Sequence, residues 1–118
     1  MKFMVMVAGR EDAGPPPHEL MEGIAKLGEE SARAGVKVET GGLYPTAMGA
    51  RVRVQNGKLS VTDGPFAEGK EVIGGYAVYD VNSKAEAIEW TKRFMQLHID
   101  HWKDWEGESE IRQIFDGG

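Results

Sequence analysis

The chain has 118 residues, of which 41% are hydrophobic and 28% charged, a length and composition typical of one soluble globular domain. Nineteen acidic residues outnumber fourteen scattered basic ones, so we expect no nucleic-acid partner. The absence of cysteine excludes disulfides, thiolate nucleophiles and thiolate metal sites, and favours a cytoplasmic location.

The first half of the chain predicts a β-α-β unit. Residues 3–8 form an unbroken apolar run that suits a strand and is too short for a membrane span or a signal peptide, so no membrane association is expected. Apolar residues then recur at helical spacing over His18–Ala34, and Gly35 marks the end of the helix. The alternating residues 36–39 predict the next strand.

A β-hairpin is predicted around Asn56-Gly57, because both residues tolerate the positive φ of a type I′ turn. In the resulting register Gln55 faces Lys58, and the remaining pairs separate apolar from polar residues onto opposite faces. Those pairs are Val54 with Leu59, Arg53 with Ser60, Val52 with Val61, and Arg51 with Thr62.

The second half repeats the β-α-β pattern. Residues 72–79 predict a strand in which Gly74-Gly75 indicates a bulge or a close approach of another backbone segment. A Ser83–Glu86 capping box opens a helix that should run to about Leu97 or His98, and residues 110–115 suit a final strand.

The predicted fold is therefore α+β, a ferredoxin-like β-α-β-β-α-β protomer with an extra β-hairpin, forming a single domain over residues 1–118. Both helices should cover one face of the sheet. Because a bare apolar sheet face is unusual in a soluble monomer, we expect a homodimer.

The segment from Asp63-Gly64-Pro65-Phe66 to Tyr76 resembles the DGPF branch of the YCII-related proteins. The resemblance extends over nearly the whole chain and includes the Gly41-Gly42-Leu43 segment and the closing residues 110–112. It implies a protein of the dimeric α/β-barrel type with a ferredoxin-like protomer.

The resemblance also carries expectations about activity. In the broader group a histidine on the first helix and a loop aspartate are proposed as a catalytic pair, and a few relatives act as lyases on halogenated aromatic rings. Asp63 matches the aspartate, whereas His18 precedes the body of the predicted helix. Relatives of this branch also occur with extracytoplasmic-function sigma factors, which implies partner binding for some of them.

Asp63 and His98 are the predicted catalytic residues. A carboxylate at the end of a strand can act as a base, and its structural alternative is an Asx turn. A histidine at a helix end can protonate a ligand, and its structural alternative is a hydrogen bond to a free carbonyl.

Five further residues are predicted to bind substrate. Together with Asp63 and His98, the alternating residues of the last strand could form one polar pocket with an aromatic wall. Lys70 would neutralise a ligand carboxylate or pair with a nearby glutamate. The set is Arg112, Glu110, Tyr44, Tyr76 and Lys70.

His98, Asp100 and His101 carry side chains that can bind a metal ion. We nevertheless expect no metal site, because His98 and His101 have no third ligand at a diagnostic interval. No motif for an organic cofactor is present. The leading hypothesis is a homodimer that holds a small organic molecule in a cleft beside the sheet, with acid–base, lyase-like chemistry. The alternative is a non-catalytic partner-binding or regulatory module linked to sigma factors, and a third hypothesis is a purely structural dimer.

Overall fold

A computed structural model describes residues 1–66 and 71–116, which form two helices, six strands and two short 3-10 turns. The 3-10 turns are Glu11–Ala13 and Thr46–Met48. In chain order the main elements are β1 (Lys2–Gly9), α1 (His18–Arg33), β2 (Lys37–Gly42), β3 (Ala50–Gln55), β4 (Lys58–Asp63), β5 (Val72–Asp80), α2 (Lys84–His101) and β6 (Gly107–Gln113).

Four strands form an antiparallel sheet in the order β2-β5-β1-β6. With α1 between β1 and β2, and α2 between β5 and β6, this order is that of a ferredoxin-like fold. The α+β, ferredoxin-like prediction is confirmed, and β3 and β4 are the extra hairpin.

The core lies between the sheet and the helices. Alternate residues of β1, Phe3, Val5 and Val7, are buried, because successive side chains of a strand point to opposite faces. Tyr79 of β5 and Ala87 of α2 complete the centre of this core. We call the other side of the sheet the helix-free face.

The hairpin forms a separate two-stranded sheet with the predicted register, from Arg51 opposite Thr62 to Gln55 opposite Lys58. Asn56 and Gly57 have φ angles of 53° and 73°, as a type I′ turn requires. Nearly all side chains on both faces of the hairpin are exposed.

The other predicted helices and strands are also present, although some of them begin or end at different residues. Gly74 is the extra residue of a bulge, since Val7 pairs with Gly75 and Ala8 with Ile73. Helix α1 already begins at His18, which pairs with Glu22 at 2.6 Å.

Helix α2 extends to His101, one turn beyond the predicted end, because aromatic packing continues past His98. Strand β6 begins and ends earlier than predicted, at Gly107 and Gln113. Gly107 already pairs with Gly9 of β1. The strand therefore includes residues 107–109, whose polar character favours a loop in the sequence.

The Ser83 cap gives the first testable prediction. The Ser83 hydroxyl accepts a hydrogen bond from the Glu86 backbone N–H at 3.1 Å. We expect Ser83→Ala to lower the free energy of unfolding by about 1 kcal/mol in urea denaturation. Asn82→Ala is the matched control, because only the backbone of Asn82 bonds to Glu86. Equal effects of the two substitutions would contradict the cap.

Candidate functional site

Asp63 lies at the base of the hairpin, exposed at the end of β4. Its carboxylate makes no hydrogen bond or ion pair with any residue that the structure describes. The neighbouring Gly64 N–H donates to the Gly49 carbonyl at 2.9 Å, and Pro65 has no N–H to offer. The Asx turn is therefore not formed, and the carboxylate is available to solvent.

The turn after Asp63 is fixed by close backbone packing. A Cβ atom on Gly64 would lie 1.6 Å from the Thr46 carbonyl oxygen, so only glycine fits. Thr46 is held in turn by Glu11, whose carboxylate accepts hydrogen bonds from the Thr46 N–H at 2.6 Å and hydroxyl at 2.8 Å. This contact ties the hairpin base to the loop after β1. The Arg51 guanidinium also lies 3.9 Å from the centre of the Phe66 ring.

Three predicted substrate-binding residues lie on the helix-free face. Tyr76 and Glu110 both flank Met6 in the sheet register, and Arg112 is opposite Met4. Arg112 Nε lies 3.8 Å from a Glu110 carboxylate oxygen, and both side chains are mostly exposed. The Tyr76 ring occupies the space over Gly41, where a Cβ would come within 2.5 Å of it.

His98 lies on the opposite side of the sheet, within an aromatic cluster at the end of α2. It is 5% exposed, and its ring centre lies 4.6 Å from Trp105, 4.9 Å from Phe94 and 6.4 Å from Trp102. Its Nδ1 is 3.0 Å from the Phe94 carbonyl, so the neutral ring carries its hydrogen there. Burial lowers the pKa of His98, and the bond to Phe94 partly opposes this shift.

The protomer does not form the single polar pocket that was predicted. His98 belongs to the helix side of the sheet, whereas Glu110 and Arg112 belong to the helix-free face, because adjacent positions of β6 alternate. Asp63 lies outside the four-stranded sheet. Tyr44 is 82% exposed in the segment before the hairpin. Lys70 lies outside the described residues.

The structure shows a different cleft, between α1, β2 and α2. Its volume is about 600 Å³, and its lining is mostly apolar. Tyr79, 3% exposed, contributes to the lining, together with Leu27, Trp90 and Phe94. The Tyr79 hydroxyl makes no hydrogen bond with any described residue. Every fully buried side-chain N or O atom of the described residues has a hydrogen-bond partner. The Tyr79 hydroxyl has none, so it is not fully buried and reaches the open space of the cleft.

Sequence reasoning missed Tyr79. Its alternation with Ala77 and Val81 indicates only a core position, and a tyrosine is common there. Burial raises the pKa of the Tyr79 hydroxyl, so this group stays protonated and able to donate at neutral pH.

Two further findings concern other classes of site. In residues 1–66 and 71–116, no three His, Asp or Glu side chains are placed to hold a metal ion together. Neither of the two helices in the described part of the chain is long and apolar enough to cross a membrane.

The chain belongs to the YCII-related domain family, whose model matches residues 1–105. An uncharacterized protein of Rhizobium meliloti (strain 1021) is 32% identical over 73 residues, which cover 62% of this chain. The same alignment spans only 59% of that relative's length.

Two solved structures show weaker likenesses. The de novo designed protein Foldit4 aligns over 98% of this chain and 100% of its own, at 15% identity and a TM-score of 0.45. An amidase of the hydantoinase/carbamoylase family from Burkholderia phymatum aligns over 96% of this chain but 27% of its own, at 14% identity and a TM-score of 0.34. At these TM-scores neither likeness bears on function.

The environment of His98 predicts a pH-dependent stability. In the unfolded chain the pKa returns to about 6.5, so as the pH falls the unfolded state takes up the proton before the folded state does. The free energy of unfolding should therefore decline below about pH 6.5 and level off below the folded-state pKa. Urea denaturation from pH 5 to 8 measures this slope.

The substitution His98→Gln should flatten the slope. His101→Gln changes an exposed neighbour and should leave the slope as it is. An unchanged slope in His98→Gln would contradict the assignment of the pH dependence to His98.

The Asp63 carboxylate, which has no partner among the described residues, gives a further prediction. Asp63→Asn should change the free energy of unfolding by no more than about 0.5 kcal/mol, because no hydrogen bond to a described residue is lost. Glu11→Gln, which weakens the contact to Thr46, provides the comparison and should cost more. A larger loss for Asp63→Asn than for Glu11→Gln in the same denaturation assay would show that Asp63 has a structural role.

Proposed function

We propose that this protein is a homodimer that binds a small organic molecule in the Tyr79 cleft. The observation that carries the proposal is the Tyr79 hydroxyl, which belongs to a residue that is only 3% exposed, has no partner among the described residues and reaches an apolar cleft. A buried donor without a protein partner is stabilised by a ligand that supplies an acceptor.

The lining defines the chemical class of the ligand. A cleft of about 600 Å³ lies within the usual range for small-molecule sites, roughly 300–1,000 Å³. Trp90 and Phe94 provide aromatic surface, and Leu27 and Val38 provide aliphatic surface. This combination suits a flat, mainly apolar molecule with one oxygen that accepts the hydrogen bond from Tyr79.

The helix-free face supports the homodimer. Met4, Met6, Tyr76 and Val78 form its centre, and each stays partly exposed in the protomer. A second copy would remove this apolar surface from water on both protomers at once, because a twofold axis repeats the same contact.

Acid–base chemistry at Asp63 and His98 remains a separate prediction, which the cleft does not require. Neither residue is among those that line it. A pairing of the two would have to bring Asp63 and His98 together from different parts of the fold, so catalysis would depend on the dimer or on a structural change.

The partner-binding alternative is favoured by one observation, the exposed apolar side chains of the hairpin. These residues indicate a contact with a protein, and they do not identify a sigma factor. Within this alternative the cleft would stay empty of any specific small molecule.

Fluorinated aromatic probes test the proposal. We expect 4′-fluoroacetophenone, which is uncharged and carries one acceptor oxygen, to bind with a saturable change in its ¹⁹F signal, and fluorobenzene to bind more weakly. Tyr79→Phe should weaken 4′-fluoroacetophenone binding about fivefold, as the loss of one hydrogen bond predicts, and should leave fluorobenzene unchanged. Tyr44→Phe removes an exposed hydroxyl and is the matched control.

A blocking variant locates the binding site. Ala32 is exposed on α1 and lines the cleft, so Ala32→Trp should fill its mouth and abolish binding of both probes. The proposal would be overturned if neither probe saturates at millimolar concentration, or if Ala32→Trp binds them as the unmodified protein does.

A further inference from the structure

The hairpin, residues 50–63, has an apolar face that none of the described residues of its own protomer covers. We call these residues the arm. Val52 pairs with Val61, and Val54 with Leu59, so the four side chains share one face. Between 67% and 74% of each is exposed. A contiguous patch of aliphatic residues on a projecting ribbon is typical of a protein-binding surface.

The arm receives little support from the rest of the chain. Its two strands pair only with each other, and it packs closely against none of the other helices and strands that the structure describes. The radius of gyration is 16.0 Å, whereas a compact chain of this length has about 13.5 Å. An isolated two-stranded ribbon is marginally stable in water, so the arm needs a surface to cover its apolar face.

The helix-free face is a second uncovered apolar surface of suitable size. Beyond its central methionines it includes Ile73, which is 48% exposed and pairs with Ala8. A six-residue hairpin is about 20 Å long, and the three gaps between four strands span about 14 Å. The arm is therefore long enough to cross the whole face.

We propose that the arm of one copy lies across the helix-free face of a second copy, with its apolar residues against the methionines. This inference rests on the proposed homodimer and specifies how its interface is built. A twofold axis makes the exchange reciprocal, so two arms cover two faces and each uncovered surface is matched with the other.

The buried area agrees with this occupant. The four aliphatic side chains offer roughly 400 Å² of apolar surface per arm, and two arms with the two faces they cover reach the roughly 1,600 Å² of a standard interface. The cations of the arm, Arg51, Arg53 and Lys58, project from the other face of the ribbon, so they would stay in water when the apolar face is covered.

Disulfide trapping tests the placement, because the natural chain has no cysteine. Val54→Cys and Met6→Cys proteins would be mixed, refolded together and oxidised, and the linked pair would be identified by mass. We expect the Val54→Cys protein to link to the Met6→Cys protein. Gln55→Cys is the matched control, because Gln55 adjoins Val54 and points from the other face of the ribbon.

Sedimentation equilibrium measures the contribution of the arm to the dimer. We expect Val54→Glu to raise the dimer dissociation constant about tenfold or more, as for a buried interface residue, and Gln55→Glu to change it by no more than about twofold. Both substitutions add the same charge at exposed, adjacent positions remote from the core, so circular dichroism should show both variants folded.

The outcomes separate this inference from the proposed function. The protein could be a dimer in which the Val54→Cys and Gln55→Cys variants link to Met6→Cys to the same extent. This result would overturn the arm placement and leave the homodimer standing. A monomer at all concentrations would overturn both, while probe binding in the Tyr79 cleft would still be judged by its own assay. A single chain that carries both Val54→Cys and Met6→Cys tests the remaining possibility. If the two cysteines link within a monomer, the arm covers its own sheet.

Discussion

The pairing of β1 with two neighbours holds the rest of this structure in place. Strand β1 pairs with β5 on one side and β6 on the other, and buries Phe3, Val5 and Val7 under the helices. Because the sheet has two faces, the same strand must present Met4 and Met6 to the other side. The core and the uncovered face are therefore both consequences of one sequence segment.

Much of the fold followed from local signals. The hairpin register was predictable because Asn56-Gly57 fixes the turn and the flanking residues alternate, and the Ser83–Glu86 spacing predicted the start of α2. The end of α2 and the start of β6 were less predictable. They depend on Trp105 packing against His98 and beside Gly9 and Gly107, which are contacts between distant parts of the chain.

The candidate site was less predictable than the fold, for a physical reason. The chemical types of Asp63, Glu110 and His98 suggest one shared polar pocket. In the structure the sheet separates His98 from Glu110. Tyr79 looks like an ordinary core residue in the sequence. Only the three-dimensional arrangement shows that its hydroxyl has no partner in the described part of the chain and that the helices leave a cleft beside it.

The attachment of the hairpin has an evolutionary consequence. Its two ends leave the sheet from neighbouring strands, where Gly42 pairs with Gly75 and the Leu43 N–H donates to the Gly74 carbonyl at 3.0 Å. The segment between them therefore leaves and re-enters the sheet at one place, between β2 and β5. A change in its length or composition does not require a change in the four-stranded sheet, so new assemblies can arise without a new fold.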